Sequence, residues 1–339
     1  MRVLFVTPGE LTGSHLPFVR REAEALRAAG ILVDVYAFDN TRYSPSYLVT
    51  QVLDLRGAIR RMRPDVVHAQ FGKFNALVAA LAALGRAPLV ISFRGTDINR
   101  NTRYSALRSA IGIAASQAAA FLADGLICVS REIRDKVKAS GRRACLLLPT
   151  GVDLKTFVAG DRAAARRRLG FREDERIVLF NSGRNPAVKD PELAAQAFED
   201  ARRRIGDARL VVLDGSAAPD EIPHYMNAAD VLLVTSRTEG SPTVVQEAMA
   251  CNLPVVSVDV GDVRERLEGV KDCAVVARCP IALGMALAEV LRAPRRSDGR
   301  VHANALGVEA IAARIAGFYR DLLAARANRD LASKYRSAE

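Results

Sequence analysis

Residues 231–258 read VLLVTSRTEGSPTVVQEAMACNLPVVSV, and the fold is decided there. Residues 231–234 form a continuous apolar run of strand length. A polar turn follows, then a helical stretch into Ala250, and then a second apolar run at 254–258. A buried strand, a helix and another buried strand in so short a span make a βαβ crossover. Strands apolar on both faces belong to a parallel sheet covered on both sides.

The same unit recurs outward in both directions. Short β-branched runs at 177–180 and 209–213 precede it, each followed by an amphipathic Ala/Arg/Leu helix. In the first half, residues 3–6, 33–37, 66–68, 89–93 and 125–129 repeat the pattern. Two such series predict two doubly wound Rossmann-like α/β domains facing across a cleft, at 1–150 and 151–308. They join near Leu147-Leu-Pro-Thr-Gly-Val-Asp153. The helical tail at about 309–336 either packs back on the first domain or frays.

With 339 residues, half of them hydrophobic, the chain has material for two cores, which excludes wholesale disorder. Its net charge of +11 is uneven. Residues 1–150 hold 21 Lys and Arg against 11 Asp and Glu, whereas residues 151–339 hold 28 against 27. The surplus is either a solvated Arg-rich surface or a face that meets an anionic partner, such as a membrane surface. Arg20, Arg21, Arg56, Arg60, Arg61 and Arg63 lie on probable helices of that half. Trp is absent and aromatics are 6%, so no stacking platform for nucleic acid is expected. Five cysteines without a CxxC pair read as free thiols in a reducing compartment. A five-residue apolar run at the start reads as a strand and not as a signal peptide, and the Ala-rich stretches are too broken to span a bilayer. The expected location is the cytoplasm, with peripheral attachment at the inner face of the plasma membrane open.

Doubly wound sheets bind ligands at the carboxyl ends of their strands, so the residues just after strands are the candidates. In the quoted stretch Ser241 reads as an N-cap and Pro242 as the first helical residue. The backbone of Gly240, Ser241, Pro242, Thr243 and Val244 then forms a helix N-terminus suited to a phosphate. Glu239 would be repelled by that phosphate and is expected to face hydroxyls of whatever carries it. Glu247 is placed about two turns into the helix, within reach of another hydroxylated ring. After the run at 177–180 comes Asn181-Ser-Gly-Arg-Asn-Pro-Ala-Val-Lys189, where Gly183 permits close approach and Arg184 and Lys189 supply two cations. Its plainer reading is a solvated loop.

In the first domain, Pro8-Gly-Glu-Leu-Thr-Gly-Ser-His-Leu-Pro17 lacks the GxGxxG fingerprint, which disfavours a dinucleotide-dependent dehydrogenase. Gly13 and His15 are cleft candidates there, His15 also fitting a structural role. In Phe93-Arg-Gly-Thr-Asp97, Arg94 stands at the cleft edge, and Asp97 either binds an acceptor hydroxyl or caps the next turn. No GxSxG, HExxH, Walker loop or Asp-x-Asp metal pair occurs, so neither a cofactor nor a metal is expected.

Taken with Tyr225-Met-Asn-Ala-Ala-Asp230, Pro149-Thr-Gly-Val-Asp153 and Val260-Gly-Asp-Val263, these segments resemble the family-4 retaining glycosyltransferases of the GT-B fold. The resemblance is tight from about 176 to 265. It implies transfer of a sugar from a nucleotide-diphosphate sugar to a glycan or lipid-linked acceptor, in envelope or exported-polysaccharide synthesis, without a required metal. It places Glu239 near the donor sugar and Glu247 on the nucleotide ribose. Arg184, Lys189 and the 240–244 backbone then hold the diphosphate. A non-catalytic subunit binding a sugar nucleotide or a partner transferase is the alternative. Two departures stand out. Arg94 replaces a common His, and Leu210-Val-Val-Leu-Asp-Gly215 runs almost directly into Pro219-Asp-Glu-Ile-Pro223, where most members insert a further βα unit. The nucleobase is therefore not legible.

Overall fold

The computed structural model describes residues 1–11, 16–39, 42–100, 105–183 and 185–336, with side chains to residue 328. The chain divides into two compact units, Met1–Thr150 with Val308–Glu339, and Gly151–Gly307.

The first unit is built on a six-stranded parallel sheet of order β2-β1-β3-β4-β5-β6. Its strands are β1 (Arg2–Thr7), β2 (Leu32–Ala37), β3 (Val66–Gln70), β4 (Leu89–Phe93), β5 (Gly125–Cys128) and β6 (Ala144–Leu147). Side chains alternate between the faces of a strand, and β1 shows the consequence. Leu4 and Val6 join one core with helices Pro45–Met62, Lys73–Ala83 and Ala106–Leu122. Val3 and Phe5 join the opposite core, with helix Pro17–Ala28 and the tail helix Val308–Arg336. Ile311, Ile315, Tyr319 and Leu322 of the tail are buried there, so the tail completes this unit. Arg20 and Arg21 consequently lie on a helix of one face, and Arg56, Arg60 and Arg61 on a helix of the other. The six arginines do not make one patch.

The second unit has a five-stranded parallel sheet, β11-β10-β9-β7-β8. Its strands are β7 (Ile177–Asn181), β8 (Arg209–Leu213), β9 (Val231–Val234), β10 (Val255–Val258) and β11 (Ala274–Val276). Sequence periodicity misses β11, which is three residues long and only half-buried. Between β8 and β9 runs a single helix, Ile222–Ala228. The ends of this unit lie side by side: Val152 and Gly307 form a parallel bridge, and Val152 N–H donates to the Leu306 carbonyl at 2.9 Å. Among the described residues no helix is long and apolar enough to cross a membrane.

Candidate functional site

In the second unit, β8 lies on one side of β7 and β9 on the other. The connections leaving β7 and β9 therefore diverge, and the crevice outside their carboxyl ends is the topological switch point where ligands of such sheets bind. Lys189 and Glu239 arrive there from those two loops, fifty residues apart in the chain. Lys189 Nζ donates to Glu239 Oε1 at 2.6 Å. The side chains are 22% and 16% exposed, so the pair remains reachable from solvent.

Asp190 fixes this meeting. It takes the left-handed conformation (φ 59°) between the short helix Pro186–Lys189 and helix Pro191–Ile205, and its Oδ1 accepts the Leu193 N–H. Its carboxylate also pairs with Arg237 at 2.9 Å and with Arg278. Arg278 donates further to the carbonyls of Thr235 (2.9 Å) and Ser236 (2.8 Å), while Thr235 Oγ1 donates to the Lys189 carbonyl at 2.8 Å. The loops after β7 and β9 are thus stitched through one buried carboxylate. Asp190 and Arg278 escaped the sequence reading. An Asp placed directly before a helix-starting proline, as in Asp190-Pro191, was the available signal.

Helix Thr243–Ala250 starts one residue later than the sequence suggests. Pro242 is its N-cap, and no side chain caps it. Ser241 is committed elsewhere: its hydroxyl donates to Asp262 Oδ2 at 2.9 Å and accepts from Gln246 Nε2 at 3.0 Å. Burial raises the Asp262 carboxyl, against the pull of Arg266 and the Ser241 hydroxyl. Pro242 has no N–H, so the donors of the segment are the amides of Gly240, Ser241, Thr243 and Val244. Glu247 is half-buried four residues past Thr243, little more than one turn in and on the same helix face. Gly183, with φ 52°, donates its N–H to the Leu213 carbonyl at 3.1 Å and so ties its loop to β8. Gly261 (φ 59°) lets the turn after β10 close on this segment: a Cβ there would stand 2.9 Å from the Gly240 carbonyl oxygen. Arg184, Gly13 and His15 lie outside the described residues.

In the first unit the structure redirects two candidates. Arg94 is not presented at an edge, since its side chain is only 6% exposed. It donates to Glu22 Oε2 (2.8 Å), Gln70 Oε1 (2.6 Å) and Thr150 Oγ1 (3.2 Å), with its guanidinium 5.0 Å from the Phe18 ring centroid. Asp97 organises the turn after β4. Its carboxylate accepts the backbone N–H groups of Gly72 (3.0 Å), Arg94 (3.2 Å) and Gly95 (2.9 Å).

Beside Arg94 runs a buried polar chain that sequence gave no sign of. His68 Nδ1 meets the Tyr319 hydroxyl at 2.6 Å, and its Nε2 meets Ser92 Oγ at 2.8 Å. Gln70 donates to Glu22 at 2.8 Å. Burial pushes the His68 imidazole down to about 4, with Glu22 opposing and Arg94 adding to the shift. Burial alone would raise the Glu22 carboxyl, but Arg94, His68 and Gln70 together hold it below the usual carboxylate range.

Residues 163–293 match the family described as Glycosyl transferases group 1, and residues 17–156 match Glycosyltransferase Family 4. The chain thus matches two glycosyltransferase family models in succession. The TuaC protein of Bacillus subtilis, named for teichuronic acid biosynthesis, is 26% identical over 60% of this chain and 55% of its own. A D-inositol 3-phosphate glycosyltransferase of Geodermatophilus obscurus is 32% identical over 53% and 48%. The chain thus spans about half the length of the curated relatives it matches. Among solved structures, sucrose-phosphate synthase of Thermosynechococcus elongatus superimposes with a TM-score of 0.75 at 20% identity, over 96% of this chain and 99% of that one. The fold is GT-B, with two Rossmann-like domains.

Proposed function

We propose that this chain moves a sugar from a nucleotide-diphosphate sugar to a glycan or lipid-linked acceptor, with retention of anomeric configuration and no required metal. The observation carrying this reading is the Lys189–Glu239 pair at the β7/β9 switch point, beside a helix N-terminus without a side-chain cap. A diphosphate entering there meets Lys189 and the amides of Gly240, Ser241, Thr243 and Val244, and the family resemblance adds Arg184 to this set. That set can stabilise the charge that builds on the leaving group. Lys189 exchanges its carboxylate partner for the diphosphate, which frees Glu239 for the hydroxyls of the sugar. Glu247 takes the ribose. The acceptor oxygen bonds to the anomeric carbon as the bond to the phosphate oxygen breaks, and that oxygen receives the acceptor proton.

Envelope or exported-polysaccharide synthesis at the inner membrane face is the setting that suits the first unit, in which helix Pro45–Met62 exposes Val49 and Leu53 beside Arg56 and Arg60. TuaC, the relative named above, is itself named for teichuronic acid biosynthesis. The test is a screen of UDP-, GDP- and ADP-sugars for stabilisation against unfolding. One of them should add about 2.7 kcal/mol at a hundred times its dissociation constant, and Lys189→Ala should remove that gain. No stabilisation by any of the three would sink the reading.

A further inference from the structure

Helix Thr243–Ala250 begins in a way that its own sequence disfavours. Ser followed by Pro is a pairing that opens helices well: the hydroxyl accepts an amide of the first turn, and the proline takes the first helical place. Here Pro242 stays extended (φ −71°, ψ 112°), the helix starts one residue later, and no side chain caps it. The amides that a Ser241 cap would engage are those of Thr243 and Val244.

The cause lies 21 residues further along the chain. Asp262, in the turn after β10, accepts the Ser241 hydroxyl on Oδ2 at 2.9 Å, and Gln246 Nε2 donates to the same hydroxyl at 3.0 Å. Arg266 Nε donates to that Oδ2 as well, at 2.6 Å. The hydroxyl is therefore engaged from two sides before it can serve the helix end.

Stability does not account for this arrangement. Asp262 and Gln246 are 2% and 1% exposed. Their other oxygens, Asp262 Oδ1 and Gln246 Oε1, are buried with no hydrogen-bond partner among the described residues. A buried acceptor left unmet is destabilising, and so is a helix end without its cap. Both occur against Glu239 of the switch-point pair, since a Cβ on Gly261 would stand 3.3 Å from the Glu239 Cβ. A segment held against its local preference at such a place points to function.

We propose that Asp262 is a positioning residue that keeps this helix end open for the diphosphate of the donor, by holding the Ser241 hydroxyl off the amides of Thr243 and Val244. The identity of that anion rests on the transferase reading. The device itself is a choice between two partners for one hydroxyl: Asp262 in this structure, the first turn of the helix once the carboxylate is removed. In the second state Pro242 turns helical, the cap forms, and an entering phosphate finds one of its donors already taken.

Calorimetry with UDP, GDP and ADP on the full chain tests it, together with amide hydrogen exchange of the free protein. Asp262→Ala should weaken the diphosphate that wild type binds best about tenfold. It should also slow exchange at Thr243 or Val244, whichever amide gains the cap. Adding Ser241→Ala to it should reverse both effects and restore affinity to within about threefold of wild type, although the carboxylate is still missing. A role in packing alone gives no such reversal, because the double variant is packed no better than the single one. Asp262→Asn, which still offers an oxygen to the hydroxyl, should likewise stay within about threefold of wild type. Where the alanine variant does not fold, Asp262→Leu, branched at the same carbon, takes its place, and Arg266, 21% exposed, can turn its charge to water. Equal affinity of Asp262→Ala and wild type overturns the proposal, as does a double variant that binds no more tightly than the single one. Unchanged exchange at both amides overturns it too. If none of the three diphosphates binds wild type, the transferase reading falls, and exchange still decides whether Asp262 keeps the helix end uncapped.

Discussion

The two switch points of this protein share an architecture and are filled in opposite ways. At β7/β9 the charges are few, half-exposed and held by loops that are pinned through Asp190 and closed by Gly261. At β1/β3, where β2 and β3 flank β1, the charges nearest the sheet are sealed into a buried chain from Glu22 through Arg94 and Gln70 to His68 and Tyr319, and beside them lies a largely apolar cavity. The polar groups around Arg94 therefore hold structure, whereas Lys189 and Glu239 remain reachable from solvent. A buried ion pair makes removal of one partner costly, while a half-exposed pair tolerates it.

That contrast can be broken by crossing stability with activity. The largest effect expected is from Arg94→Leu, which strands the Glu22 carboxylate and should cost about 3–5 kcal/mol in denaturant unfolding. Hydrogen exchange should locate the loss in β3 and β4. A loss below about 1 kcal/mol would mean that the buried chain holds nothing. Lys189→Ala and Glu239→Gln should instead lower sugar transfer by about 10²–10³-fold and change stability by about 1 kcal/mol or less. If these variants unfold while still turning over, the assignment of the two regions is reversed.

A third test uses pH. The folded His68 resists protonation down to about 4, whereas in the unfolded chain it protonates near its ordinary value of 6.5. The unfolded state binds more protons in that window, so stability is full above it and falls as the pH drops from 6.5 towards 4, by up to about 3 kcal/mol. Glu22, whose carboxyl is depressed, adds a further loss as the pH falls below its ordinary range. Denaturant melts of wild type and His68→Gln at pH 7.5 and 5 check this, and equal slopes would exclude His68 as the source. The smallest effect expected is from Gly261→Ala. Its positive φ and the Gly240 carbonyl at 2.9 Å make the added methyl cost about 1–2 kcal/mol. Nucleotide-sugar affinity should fall with it, and an unchanged affinity would show that the turn after β10 does not shape the 240–244 segment.

What could be read in advance was whatever follows directly from position on a strand. β7 and β9 are each written contiguously with the loop that follows, so Lys189 and Glu239 could be placed after strand ends from sequence. The burial of Arg94 could not be read, because its partners Glu22, Gln70 and Thr150 lie 72, 24 and 56 residues away and no local pattern records their convergence. Ser241 misled for a related reason. It has the right chemistry for an N-cap, but a buried carboxylate 21 residues on competes for the hydroxyl. The apolar cavity of the first unit was hidden because several separate loops contribute its walls.

The tail helix has a consequence for how the molecule is made. Tyr319 supplies the partner of His68 across 251 residues, and Ile311, Ile315 and Leu322 finish the core that Val3 and Phe5 begin. The ribosome therefore delivers all of residues 151–307, whose ends already bridge at Val152 and Gly307, before the first unit can close. The amino-terminal unit is therefore not the first that can be completed, against the usual order. Until the tail is made, the nascent first unit keeps an apolar sheet face uncovered and a histidine without its phenol.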